Sequence, residues 1–395
     1  SIASHASGFA YGGITPTVGL EKDSPYEKIS KYSYELHKVL ADEIPEISGI
    51  NYGYKAYPNI ELALSNHDER KLKEVYQKNN KIYEWCSRDD LLQIDKRLGP
   101  KVLSGLLSGI SSGVEPYKLT LALSIAAEKN GTDIINSEVL DLESNTTNNV
   151  RIITSKNKEI NSENVLIAAG PWSHKFSNSF GFEIPIKPLK GQIIRLKSDE
   201  IIENGFHWGS NYVTTKQDGL IWAGTTEEDV GFDENPSSFG LNSIMESLIE
   251  IFPFLQNAEL VLQTACLRPL ALDKMPILSM SENNNIFIAS GTGRQGILLG
   301  PAMGKLIIDT ILNNIAPNLN IIRIACTTIR LGFRIRRNSK KVLKISMINH
   351  HQQTKRTNNN QRGLYWFRHD LRLHDNAAIS ALCEAVQQVT FLYIL

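Results

Sequence analysis

The chain has 395 residues with 42 basic and 42 acidic side chains, so it has no net formal charge and no global field drawing it to nucleic acid or an anionic membrane. Its 42 % hydrophobic content permits a sizeable core, and the length predicts two to three domains of about 150 residues each. No stretch approaches the ~18 consecutive apolar residues of a membrane span, and no charged segment followed by an apolar one opens the chain. Cys86, Cys266, Cys326 and Cys383 are scattered without metal-ligand spacing, which favours reduced, buried thiols in a cytoplasmic setting over a disulfide framework or a metal centre.

After a small-residue opening, SGFAYGG at 7–13, apolar residues at Ile29, Tyr32, Leu36, Val39 and Leu40 predict a helix over 26–44. A second amphipathic helix is expected over 68–86. A third is expected over 118–129, ended by Asn130-Gly131 in a left-handed cap. Strands follow over 132–142, 150–154 and 165–169, the last apolar throughout, as in a strand covered on both faces.

From 185 to 269 the rhythm changes to alternating strands, 192–196 and 220–224 among them, interrupted by a helix over 241–252. This reads as an antiparallel substrate domain inserted into an α/β framework whose parts are 1–184 and 270–317. A substrate would sit between the two, where pockets commonly form.

Strand 286–289 and a helix over 297–312 frame Gly291-Thr-Gly-Arg-Gln-Gly296, a Gly-x-Gly-x-x-Gly string. A dinucleotide site would need a second strand and an acid about 20 residues on, and none follows between Asp309 and Asp370. Two readings stay open for this loop: a plain helix-entry turn, or a cofactor contact that uses the partial positive charge of a helix N-terminus.

Residues 318–362 hold many Arg and Lys side chains and no carboxylate. No aromatic platform or helical stripe organises them, so an unstructured joint is favoured over a nucleic-acid arm. Residues 363–395 read as β-α-β, a unit too small to bury its own faces.

Six strings in order, ASGFAYGG at 6–13, VEP at 114–116, VLIAAGPWS at 165–173, PLKGQ at 188–192, LRP at 267–269 and GTGRQGILLGP at 291–301, resemble the flavin-dependent amino-acid oxidases of the D-amino-acid oxidase superfamily, most of all the glycine oxidases. The resemblance implies an α/β FAD-binding fold with an antiparallel substrate domain. It places Ser7, Gly12 and Gly13 beside the flavin, Val139 at the adenine, Ala169 and Gly170 near the diphosphate and ribose, and Gly293, Arg294, Gln295, Gly296 and Ile297 over the pyrimidine edge. It also implies that Arg268 clamps a substrate carboxylate, helped by Tyr212 and Arg294. The implied reaction is oxidative deamination of glycine, sarcosine or a D-amino acid, with dioxygen as acceptor and no metal; some relatives serve thiamine synthesis. An amine dehydrogenase on the same scaffold is one alternative, and the oligomeric state stays open, a homo-oligomer included.

Family members open with a strand, a Gly-x-Gly-x-x-Gly turn, a helix and a second strand, which have no counterpart before Ser1. Loss of those phosphate-binding donors predicts weakened FAD affinity. LYWFRHDLRLHDN at 364–376 resembles the start of DNA photolyases and cryptochromes, without the helical domain on which their light-driven repair depends, so a photolyase-related, DNA-binding repair fragment is the second alternative.

Overall fold

A computed structural model describes residues 2–16, 24–109, 111–144, 149–156, 159–281 and 285–313, with the pairs 362–363 and 388–389. From the N-terminus come α1 (Ala6–Phe9), β1 (Gly13–Ile14), α2 (Pro25–Ser48), β2 (Lys55–Ala56), β3 (Asn59–Ala63), α3 (Asn66–Asn79), β4 (Tyr83–Ser87), α4 (Arg88–Ile94), β5 (Ser104–Ser108), β6 (Ser112–Gly113) and α5 (Pro116–Lys129). Next are β7 (Val139–Ser144), β8 (Val150–Thr154), β9 (Glu159–Ser162), β10 (Val165–Ile167), α6 (Ser177–Phe180), β11 (Ile186–Lys197), β12 (Gly205–Trp208), β13 (Asn211–Thr215) and β14 (Ile221–Gly224). The last are α7 (Ser238–Ile251), β15 (Glu259–Ala271), β16 (Ile277–Met280), β17 (Ile286–Ser290), α8 (Gly296–Asn313), β18 (Arg362–Gly363) and β19 (Gln388–Val389).

Two layers meet over a central cavity. The first is a mixed eight-stranded sheet in the order β15-β11-β14-β13-β12-β3-β5-β4. All its pairings are antiparallel except β12 with β3. One face carries Ile60, Leu62, Ile194, Phe206, Val213 and Ile221 into a core shared with Ile244, Leu248 and Ile251 of α7. The sheet is therefore not confined to residues 185–269: the segment 59–108 supplies three of its strands through the parallel β12–β3 seam.

The second layer is a short sheet in the order β10-β17-β16, with β10 parallel to β17. Helices α2, α5 and α8 pack beside it in a second apolar core that includes Ile29, Leu119, Leu298 and Met303. Sequence chemistry sets their bounds. The Ser24 side chain accepts from Glu27 N–H, Pro25 fills the first turn, and Gly49 closes α2 at φ 79°. Asn130 and Gly131, the latter at φ 88°, end α5 as expected.

The helix expected over 68–86 stops at Asn79, and Tyr83–Ser87 is a strand. Regular strand begins only at Val139, seven residues after the expected 132. Cys86 and Cys266 are buried free thiols, while Cys326 and Cys383 lie outside the described residues. The basic segment 318–361 lies outside them too. In the C-terminal stretch β18 and β19 pair in parallel, while the helix expected between them lies outside the described residues.

Helix α8 with its preceding turn is long and apolar enough to cross a membrane, but here Leu298, Leu299, Ala302 and Ile307 are core residues. It also contains Pro301, which has no N–H to offer Ile297 O. Helix α2 repairs the break. His37 Nε2 donates to Ile297 O at 2.8 Å and lies 3.2 Å from Leu298 O, and Ser33 Oγ accepts from Ala302 N–H at 3.1 Å. Burial pushes His37 down to about 4, so the ring is neutral at pH 7.

Ser33→Ala is expected to cost about 1–3 kcal/mol in denaturant unfolding by leaving a buried N–H without an acceptor. A folded-state pKa below the unfolded one means stability drains as pH falls from about 6.5 towards about 4. His37→Gln should flatten that acid limb in thermal unfolding curves; an unchanged limb would refute the assignment.

Candidate active site

The cavity between the layers has a volume of about 850 Å³, within the usual range for ligand pockets. Its walls come from α1 and β1, the ends of β10 and β17, the N-terminal turns of α8, and the inner face of the large sheet.

Several glycine positions reflect close packing or special backbone. Gly12 is at φ 77°, and a Cβ there would strike Val114 O and approach Pro116 Cγ to 2.7 Å. The VEP string thus supports the SGFAYGG loop, through β1–β6 pairing and Val114 N–H to Gly12 O at 2.9 Å. Gly170 at φ 53° leaves its carbonyl to accept from Ser290 Oγ at 3.2 Å, joining the ends of the two parallel strands. Gly291 and Gly293, at φ 77° and 54°, turn the chain from β17 into a 3-10 turn, Gly293–Gln295, and then α8.

On the opposite wall Arg268 is only 9 % exposed. One terminal nitrogen donates to Thr226 O at 3.0 Å and the other to Thr225 Oγ1 at 2.6 Å. The guanidinium lies over Gly191, where any Cβ would collide with it. Tyr212 is also buried, its ring 3.9 Å from Tyr11. Burial pushes the phenol up while the charges of Arg268 and Arg294 and the hydroxyl of Thr225 draw it down, with burial dominant. It therefore stays a donor. Arg294 donates to Ser210 O at 2.6 Å and pairs with Glu227 at 3.4 Å.

Of the residues singled out from sequence, Ser7, Gly12, Gly13, Gly170, Tyr212, Arg268, Gly293, Arg294, Gln295, Gly296 and Ile297 all line this one cavity. Two do not. Ala169 is buried behind the wall formed by Ala168 and Gly170, and Val139 begins β7 and packs towards the core beneath the small β7-β8-β9 sheet.

Sequence reading missed a polar group on the large sheet. Asn59, Glu61, Tyr83 and His207 line the cavity. Burial lifts Glu61 to about 7 against the pull of Arg294. Burial, then Arg294 and Lys216, lower His207 to about 4. Lys216 sits 4.4 Å from the Tyr11 ring centre, lowered to about 7 by burial. Strand alternation was the only available signal, and a Glu in an alternating strand reads as water-facing.

The family model for FAD dependent oxidoreductases matches residues 1–310. The chain belongs to that family. It is 26 % identical over 296 residues to the glycine oxidase of Bacillus subtilis, covering 74 % of this chain and 79 % of the relative. It is 24 % identical over 315 residues to the bifunctional protein ThiO/ThiG of Trichormus variabilis, covering 78 % of this chain and 47 % of that protein. The solved glycine oxidase of Geobacillus kaustophilus superposes with a TM-score of 0.75 at 24 % identity, covering 80 % of this chain and 87 % of that one. The DNA photolyase model matches residues 363–395, nearly all of them outside the described residues.

The cavity fits FAD, the cofactor of this oxidoreductase family. Asn130 Oδ1 and Thr132 Oγ1 line it, buried and without hydrogen-bond partners, as groups awaiting a polar ligand would be. Glycines 12, 170 and 293 leave backbone close to the cavity, and the N-terminus of α8 offers positive dipole charge there.

Gly191→Ala is expected to leave the fold intact and push Arg268 aside, so small carboxylates should bind at least ~10-fold more weakly by calorimetry while FAD content holds. Glu61 supplies a test without ligand. Its folded pKa of about 7 exceeds the reference 4.5, so it costs stability as pH rises between them. The melting-temperature gain of Glu61→Gln over wild type should therefore grow from pH 5 to pH 8; a constant difference would contradict it.

Proposed function

We propose that this FAD-dependent oxidoreductase deaminates a small amino acid, glycine, sarcosine or a D-amino acid, and passes the electrons to dioxygen to give hydrogen peroxide. The observation that carries this reading is the pairing of a buried guanidinium, Arg268, with a buried phenol, Tyr212, in a cavity rimmed by close-approach glycines. A planar guanidinium offers carboxylate two parallel donors, which a Lys cannot reproduce, and the phenol adds an O–H.

With the carboxylate fixed, the rate rests on orientation. FAD, when bound, supplies the hydride acceptor. The amine lone pair becomes the C=N bond as the α-hydrogen leaves with its electrons, and water hydrolyses the imino acid to an oxo acid and ammonia, or methylamine from sarcosine. Neutral His207 adds no positive charge to repel the amine, and Arg294 with the α8 N-terminus stabilises negative charge developing nearby. Asn130, Thr132, Gly170 and residues 293–297 are the groups that would hold the cofactor.

Protein saturated with FAD is expected to bleach on anaerobic titration with glycine, sarcosine or D-alanine, and to release peroxide when air is admitted. Bleaching without peroxide would assign a dehydrogenase instead. Arg268→Ala should raise KM about 10–100-fold with FAD content unchanged; equal loss of both would sink the clamp.

A further inference from the structure

We propose that Asn59 and Glu61 form a second recognition end for the substrate, receiving an ammonium or guanidinium on its side chain. The preferred amino acid is then a basic one. This inference rests on the amino-acid oxidase reading and narrows it.

Strand β3 alternates. Ile60 and Leu62 point into the core beneath α7, so Asn59 and Glu61 point from the opposite face into the cavity. Asn59 is 8 % exposed, and its Oδ1 is buried without a hydrogen-bond partner. Such an acceptor is unfavourable until a donor meets it. Two positions along, Glu61 presents a carboxyl to the same space. Among the described residues it makes no ion pair, since Arg294 is committed to Ser210 O and Glu227.

The groups around Glu61 come from four elements: His207 opposite it on β12, Tyr83 on β4, Asp68 near the start of α3, and Arg294 in the turn before α8. His207 is neutral at pH 7 and Asp68 is anionic. Arg294, the one cation acting on it among the described residues, leaves the carboxyl raised to about 7, and an incoming ammonium would favour its charged form.

The path to this end is apolar. Leu72 and Val75 of α3 and Leu106 of β5 line the same cavity. They suit a chain of methylenes that ends in a charge. Arg268 and Tyr212 supply the opposite, anion-binding character. An amino acid with only hydrogen or methyl as its side chain would leave Asn59 Oδ1 unmet and Glu61 without an ion-pair partner.

The test uses FAD-saturated full chain and matched pairs that differ by one charge. D-Lysine is expected to exceed D-norleucine in kcat/KM at least ~10-fold, mainly through KM, and Glu61→Gln to bring the ratio within about two-fold of unity. Binding is read independently with 6-aminohexanoate and hexanoate, which lack the α-amine and cannot be deaminated there. By calorimetry at pH 8 the first should bind at least ~10-fold tighter, and Glu61→Gln should abolish the difference. Glycine and D-norleucine oxidised without preference for D-lysine, and equal binding of the two carboxylates, would overturn this inference while the oxidase reading stands. Discrimination between the carboxylates without oxidation of any amino acid would uphold the binding end and sink the oxidase reading. A preference that survives Glu61→Gln would refute the assignment to Glu61, and no binding or turnover at all would overturn both.

Discussion

The site depends on keeping one cation out of water. Arg268 is almost wholly buried in the large sheet, where an unpartnered charge would be prohibitive, and the protein meets only part of its need. Thr226 O and Thr225 Oγ1 take one N–H from each terminal nitrogen. Both are neutral acceptors, so the positive charge itself stays uncompensated by any carboxylate within ion-pair distance among the described residues. A buried guanidinium hydrogen-bonded to neutral groups beside an open cavity is a standing demand for an anion. Gly191 is the geometric condition for it: on the neighbouring strand only a missing side chain leaves room for the planar group to lie flat.

The same sheet explains why side chains of opposite character can share one cavity. Period-two alternation sends Ile60, Leu62, Phe206 and Val213 to the α7 core and frees Asn59, Glu61, His207 and Tyr212 for the other face. Polar residues at those positions would normally meet water. Here α3 covers part of that face with Leu72 and Val75, and the second layer closes much of the rest, so the polar face is desolvated. The raised Glu61 and the lowered His207 follow from that enclosure.

Legibility in the sequence followed locality. The turn at Gly291–Gly296, the Asn130-Gly131 cap and strands β10, β11 and β14 are written in short strings whose backbone demands are met by near neighbours. What stayed hidden is non-local. Nothing in NIELA at 59–63 announces a parallel partner at Gly205–His207, so three strands of the large sheet could not be assigned to it beforehand. The amphipathic pattern ran on past Asn79 because Tyr83 and Trp85 continue an apolar rhythm through the turn, although the chain there has already become a strand. Thr132 escaped notice for a related reason: a lone hydroxyl gains meaning only when folding leaves it buried without a partner.

The repaired break in α8 ties stability to the site. Pro301 would expose backbone groups one turn from Gly296, where the helix faces the cavity. His37 and Ser33 satisfy those groups from α2, so the N-terminal turns are held by side chains 260 or more residues away in sequence. A turn so fixed offers Gly293, Arg294 and Gly296 in one arrangement, and a preorganised positive end loses less to reorganisation than a flexible one. The neutral state of His37 is part of the device. A charged imidazole at that depth would be unstable and would add a full charge beside the helix end, whereas the neutral ring supplies only the hydrogen bond the proline removed.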